Sequence, residues 1–230
     1  MGLDPTRRTV PGVKNPDEGT ARNRPHVVLH AAVSVDGSTA GFEPDVGRFY
    51  ELATTWHEDV TLAGADTILA QESTLADAEL PGPAPAGPTL VIVDGRGRVS
   101  AWPSLRDVGY WSSVVAVHTA GTPARDHGFP VIVAGSDRVD LAAMLLTLRE
   151  RFDARVVRVD SGGALNRALL GAGLVDEVSL LVHPALAAAH VRRPWHGGGP
   201  LAGKAMTLTA AQTFPAGLVW LRHRIAADAP

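Results

Sequence analysis

The chain has 230 residues, 45% of them hydrophobic and 20% charged, with a formal net charge of −3; this suits one large domain and offers no basic excess for a polyanion partner. It has no cysteine, which excludes disulfides, thiolate metal sites and a cysteine nucleophile. No apolar run approaches the roughly 20 residues of a membrane span and the first residues lack a signal-peptide core, so the reading is a cytoplasmic protein with no nucleic-acid or membrane partner.

Residues 1–24 read as a disordered or arm-like tail, with Pro5, Pro11 and Pro16 set among Gly, Thr and mixed charges. A single domain is expected over 25–226. His26 to Val35 is almost wholly apolar, as a strand covered on both faces should be, and Asp36-Gly37 ends it. Asp45 is placed to cap a helix running to about Val60, with Val46, Phe49, Tyr50, Ala53, Trp56 and Val60 at helical spacing. A short apolar piece, Thr61 to Ala63, leads into Gly64, and ADTILAQESTL reads as a helical turn and loop. The Pro/Gly-rich stretch at 81–88 is a stiff surface loop.

Strands follow at Thr89 to Val93, Ser113 to Val117 and Val131 to Ala134. Asp140 caps a helix with Leu141, Leu145 and Leu148 on one face. Arg155 to Val159 is a strand that enters a Gly-rich turn and a short helix ending near Gly171 or Gly173. Val175 to Val182 is another strand, and Met206 to Phe214 with Leu218 to Ile225 form a closing hairpin. The alternation specifies an α/β fold: a mostly parallel sheet with helices on both faces and an antiparallel C-terminal hairpin.

Three segments carry chemistry, each at the carboxyl end of a strand, where open parallel sheets bind ligands. In Asp160-Ser161-Gly162-Gly163-Ala164 the glycines admit close backbone approach, and the helix start offers unpaired N–H donors to a diphosphate. The same segment also reads as an ordinary strand–helix turn, and the full G-x-G-x-x-G spacing is absent. Ser34 and Asp36 end the first strand, where Asp36 either relays a proton or simply makes the turn. Arg96 and Arg98 lie in a Gly-rich loop and either clamp a phosphate or stand in solvent. The nine histidines include no metal-binding spacing. His196-Gly197-Gly198-Gly199 imitates an esterase oxyanion loop, but the chain has no G-x-S-x-G.

The order of these pieces resembles the reductase domain of the bifunctional riboflavin-biosynthesis deaminase/reductase and its free-standing archaeal and fungal relatives, from about Arg24 to Ile225. RPHVVLHAAVSVDG is similar to that family's opening strand, VIVDGRGRV to its arginine loop, and DSGGALNRALLGAGLVDE to its Glu-Gly-Gly…Gly-Leu-Val-Asp-Glu segment. ADTILAQESTL stands where the family has a Gly-rich segment ending in Ala-Asp-Asn/Asp-Pro. The resemblance implies a dihydrofolate-reductase-like three-layer fold, NADPH as cofactor, a small-molecule substrate and a homodimer. It implies that Asp160, Ser161, Gly162, Gly163 and Ala164, with Gly64 and Thr67, line the nicotinamide and diphosphate region. Arg96 and Arg98 then stand near the adenosine 2′-phosphate, and Ser34 and Asp36 face the nicotinamide and substrate.

The departures fall on the substrate side. His30 replaces a family lysine and is either a core histidine or a site residue. Asp36-Gly37-Ser38 replaces Asp-Gly-Lys, Ala70-Gln71-Glu72-Ser73 replaces Ala-Asp-Asn/Asp-Pro, and a family arginine falls near Ala78. Asp160 shortens the glutamate before the two glycines. Gln71 and Glu72 are thus the candidate substrate contacts, with His30, Ser34 and Asp36 as catalytic candidates. The expectation is hydride transfer to a C=N or C=O carbon of a substrate other than the phosphoribosylamino-pyrimidine. Two alternatives stand beside it: the authentic 5-amino-6-(5-phosphoribosylamino)uracil reductase, and a non-catalytic NADPH-binding module.

Overall fold

The computed structural model describes residues 23–124, 128–199 and 205–226; of the tail expected at 1–24, residues 1–22 lie outside them. Seven strands run parallel: β1 (His26–Ser34), β2 (Val60–Gly64), β3 (Thr89–Val93), β4 (Ser113–His118), β5 (Val131–Val133), β6 (Val156–Val159) and β7 (Glu177–His183). The antiparallel pair β8 (Met206–Thr213) and β9 (Val219–Ile225) joins at β7, and the order across the sheet is β5-β4-β3-β2-β6-β1-β7-β9-β8.

The expected apolar run at β1 has a topological cause. The strand lies between β6 and β7, so its backbone is paired on both edges. On one face Val27, Leu29, Ala31 and Val33 pack with Met144, Leu145 and Leu148 of α5 (Leu141–Phe152) and with Leu165 and Leu169 of α6 (Gly163–Gly171). Each such large apolar side chain, fully withdrawn from water, contributes about 1.5–3 kcal/mol. The opposite face is covered near β7 by Phe49 and Leu52 of α1 (Val46–Ala53). Toward β4 the cover is α2 (Ala65–Leu69), α3 (Glu72–Ala76) and α4 (Trp102–Asp107), through Ile68, Leu75, Trp102 and Leu105. Helices on both sides of one sheet give the three layers.

Local signals hold at several ends. The Asp140 carboxylate accepts from the Ala143 N–H at 3.0 Å to cap α5, and Asp45 accepts from the Arg48 N–H at 2.9 Å to cap α1. The closing hairpin forms as expected. The helix expected to reach Val60 stops at Ala53: a 3-10 turn over Thr54–Trp56 ends at His57 in the left-handed region, φ 47°. Val60 starts β2 instead, where its backbone pairs between β3 and β6 and its side chain is buried in the core cluster on one face of the sheet; the 3.6-residue period carried past its real end because Val60 is apolar for a different partner. The turn-and-loop expected at ADTILAQESTL contains two short helices, and α4, with Pro103 in its first turn, was not anticipated.

Candidate active site

The carboxyl ends of β1, β2, β3 and β6 open on one long cleft of about 960 Å³, within the size range of small-molecule sites. Its middle is the start of α6. Gly162 occupies the N-cap without a side-chain acceptor, so Gly163 and Ala164 on the cleft wall present amides with no intrahelical partner. The loop before them is fixed by neighbours. The Gly64 N–H donates to Ser161 Oγ at 3.0 Å, Thr67 Oγ1 lies 3.2 Å from Ser161 Oγ, and the Gly162 N–H donates to Thr67 Oγ1 at 3.0 Å. A Cβ on Gly163 would fall 2.5 Å from the Gly197 Cα and 2.8 Å from the Pro194 carbonyl. The glycine is therefore required by close backbone approach of the 194–197 segment. Asn166 ties that segment down by donating to the Trp195 carbonyl at 2.7 Å.

One end of the cleft carries Arg96, Arg98, Thr119, Arg138 and Val139. Arg98 is held by Asp66 at 2.7 Å, whereas Arg96 is exposed and has no partner among the described residues. The buried Asp94 shapes this loop by accepting from the Val99 N–H at 2.8 Å.

The other end is built by β1, α1 and the end of β6. His30 touches the cleft but is 1% exposed. Its Nε2–H donates to the Phe49 carbonyl at 3.0 Å and its Nδ1 accepts from the Ser179 hydroxyl at 2.9 Å, while Ser179 accepts from Trp220 Nε1 at 2.8 Å. The ring stacks on Phe49 with centroids 4.2 Å apart. Burial dominates its titration and lowers the imidazole to about 4, against the opposing Phe49 hydrogen bond. His30 is thus a neutral pin between sheet and α1.

Beside it, Tyr50 lines the cleft with its hydroxyl 3.4 Å from Asp160 Oδ2. Asp160 also accepts from Arg158 Nη1 at 3.3 Å, and the buried Arg158 donates through Nε to Glu58 at 2.7 Å. Burial opposes the Arg158 charge, but the Asp160 and Glu58 carboxylates prevail and raise its pKa.

The structure gathers Gly64, Thr67, Gln71, Arg96, Arg98, Asp160, Ser161, Gly162, Gly163, Ala164 and His30 around the cleft. It does not bring Ser34, Asp36 or Glu72 to its wall. The Ser34 hydroxyl donates to Asp36 Oδ1 at 2.6 Å, the same oxygen accepts from the Ala187 N–H at 3.0 Å, and Arg192 pairs with Oδ2 at 3.3 Å. The Ser34 hydroxyl, followed by the Ala187 N–H, holds the Asp36 carboxyl below the usual range. This pair fastens the 185–193 segment to the end of β1. Glu72 accepts from the N–H and hydroxyl of Ser100 at 3.1 and 3.2 Å. Sequence reasoning missed Tyr50, Arg138 and Arg193 on the cleft wall. Arg138 follows β5 just as Arg96 follows β3, so the strand-end rule reaches it; nothing local marks the other two. Among the described residues no His, Cys, Asp or Glu group is placed to hold a metal ion.

The architecture is that of an α/β enzyme with its ligand cleft at the carboxyl edge of a parallel sheet. Residues 25–220 match the family described as RibD C-terminal domain, and the chain belongs to that family. It is an oxidoreductase of this riboflavin-biosynthesis reductase group. It is 30% identical over 174 residues to the 2,5-diamino-6-ribosylamino-4(3H)-pyrimidinone 5′-phosphate reductase of Methanothermobacter thermautotrophicus, covering 70% of this chain and 78% of that one. Acinetobacter baumannii RibD superposes with a TM-score of 0.67 at 20% identity, covering 89% of this chain; the chain spans only 58% of that protein. The fold extends to the dihydrofolate reductase of Enterococcus faecalis, with a TM-score of 0.51 at 8% identity, covering 87% of this chain and 96% of that one. A reductase of this fold class calls for a nicotinamide cofactor.

Proposed function

We propose that the protein is an NADPH-dependent reductase transferring hydride to a C=N or C=O carbon of a small substrate, through one reductase domain spanning 25–226. The observation that carries this reading is the uncapped start of α6 on the cleft wall, with Arg96 and Arg98 at one end. Backbone amides at a helix start suit a diphosphate, and guanidinium groups suit a 2′-phosphate. The backbone of Gly197 and Pro194 fills the space a Cβ on Gly163 would need, so this first turn of α6 is held in place by its packing. The residues present therefore fit the cofactor: Gly163 and Ala164 for the diphosphate, Arg96 and Arg98 for the 2′-phosphate, Gly64, Thr67, Ser161 and Gly162 as the rigid bed beneath. When bound, the reduced nicotinamide supplies the hydride. Asp160 and Tyr50 border the substrate end, with Gln71 also on the cleft wall. A homodimer in the cytoplasm is the expected setting.

The substrate end supports a molecule other than the phosphorylated pyrimidine. His30 is neutral with both nitrogens engaged, and Ser38 and Ala78 supply no charge, so the positions where the family resemblance places cations carry none. A phosphorylated substrate remains the second reading, favoured by Arg193. Its backbone is fixed by the Thr39 N–H donating to its carbonyl at 2.8 Å and by its own N–H donating to Ser38 Oγ at 2.9 Å. Its guanidinium has no partner among the described residues. The test is turnover of NADPH with 5-amino-6-(5-phosphoribosylamino)uracil and with its dephosphorylated counterpart. A kcat/KM above roughly 10⁴ M⁻¹s⁻¹ for the phosphorylated form refutes the first reading in favour of the second. No oxidation of NADPH with these or with a panel of cyclic imines and aminosugars leaves the binding-module alternative.

A further inference from the structure

Reduction of a C=O or C=N bond needs a proton as well as a hydride, and the cleft narrows the source. Ser34 and Asp36, the polar pair at the end of β1, are off the wall and consumed by the 185–193 segment. The single N–H of His30 is spent on the Phe49 carbonyl. Ser161 and Thr67 hold each other and the Gly64 and Gly162 amides. Tyr50 is different: it is half-exposed, lines the cleft, and among the described residues its hydroxyl has one hydrogen-bond partner, Asp160 at 3.4 Å. That distance is longer than a settled O–H···O bond, so the hydroxyl is free to turn toward a ligand.

We infer that Tyr50 is a catalytic residue that delivers the proton to the substrate heteroatom, with Asp160, anchored by Arg158, orienting the phenol. The inference rests on the reductase reading above. In the step, the electrophilic carbon gains a hydride, balanced by two-electron oxidation of the reduced nicotinamide. The π pair of the C=O or C=N bond moves onto the heteroatom. The Tyr50 O–H bond breaks, its proton forms the new O–H or N–H bond, and the tyrosinate recovers a proton from water at the cleft mouth. Asp160 stands directly before the Ser161–Gly163 turn on which the cofactor is placed, so the phenol and the hydride source border the same space. The phenol is withdrawn from water on one side only, and that partial burial with the neighbouring Asp160 carboxylate pushes Tyr50 up to about 12, so it holds its proton at neutral pH; a full alkoxide or amide anion formed on the substrate is a stronger base still. Two supports fix the ring: α1 is capped by Asp45 one turn earlier, and His30 grips the Phe49 carbonyl immediately before it.

The test is Tyr50→Phe in the full chain, assayed with whichever pyrimidine the wild type reduces. General-acid catalysis predicts a fall in kcat of about 10²–10³-fold, with KM and calorimetric NADPH affinity within about threefold. A kcat within threefold of wild type overturns the inference and leaves the reductase reading intact. A second measurement reads the pair without turnover. The chain has two tyrosines, so Tyr110→Phe leaves Tyr50 as the sole phenolate absorber. Its alkaline titration should lie near 12 and move down in Asp160→Asn; an unchanged titration in that variant overturns the pairing on which the inference stands. Absence of turnover by the wild type with every substrate refutes the reductase reading, and the proton-delivery role with it.

Discussion

Lowering the pH from 7 toward 4.5 should cost the protein stability through His30. In the unfolded chain this imidazole titrates at its ordinary 6.5; in the folded protein burial lowers it to about 4. The folded value is the depressed one, so the unfolded state takes up the proton first. The contribution is fully present above 6.5 and is lost as the pH falls through the window down to 4. The separation is worth about 3 kcal/mol in total, with a slope that approaches about 1.4 kcal/mol per pH unit inside the window. His30→Gln removes that slope while retaining an amide for the Phe49 carbonyl. Urea unfolding of both proteins at a series of pH values measures it. The variant should start lower at pH 7, having lost the stack on Phe49, and the two stabilities should converge by about 2 kcal/mol or more by pH 4.5. Glu177, which burial would raise but its hydrogen bonds to His26 and Arg222 take down to about 2, loses its stabilising effect only below its ordinary 4.5, outside most of this window. Parallel stability curves would refute the assignment of His30 as a buried neutral pin.

Gly163→Ala places a Cβ against the backbone of Gly197 and Pro194 and should cost about 1–3 kcal/mol together with weakened NADPH binding, read by thermal melting and calorimetry. Gly171→Ala, whose Cβ meets nothing within 4 Å at the end of the same helix, should be neutral or stabilising by up to about 1 kcal/mol, and a large loss there would discredit the Gly163 argument. Arg96→Ala should weaken NADPH about tenfold or more, the loss of one charged hydrogen bond, and leave NADH nearly unchanged; equal effects on both cofactors would remove the 2′-phosphate from this loop. Truncation should be tolerated up to Asn23 but not beyond Arg24, because Arg24 makes a two-point pair with Asp176 at 2.7 and 2.9 Å; a midpoint drop on removing residues 1–22 contradicts this.

The parts of the fold that could be read directly are those in which one short segment carries its own cause. β1 is apolar because both its faces are covered, Asp140 sits one residue before an apolar helical face, and Pro215-Ala216-Gly217 separates two alternating runs. The errors arise where a residue serves a partner far along the chain. Val60 continues the helical period of α1 yet belongs to β2. Ser34 and Asp36 occupy the strand end where ligands bind in this class of sheet, but their side chains are taken by Ala187 and Arg192, about 150 residues later. Tyr50 looked like one more apolar position on α1, and only the placement of β6 beside β1 sets its hydroxyl near Asp160. Glu72 was read as a substrate contact and instead braces Ser100.

The position of β1 in the sheet has a kinetic consequence. Although it is the first of the described strands along the chain, both of its neighbours, β6 and β7, come late; Val27 and the Asp176 carboxylate that receives its N–H are 149 residues apart. During synthesis the segment HVVLHAAVS therefore emerges with two bare edges and two apolar faces, while β2, β3 and β4 can already pair in sequence behind it. The central slot closes last, at the entropic cost of a long loop. Until then its unpaired edges and apolar faces are open to self-association, so expression yield should respond to the speed and temperature of synthesis more than to the stability of the finished protein.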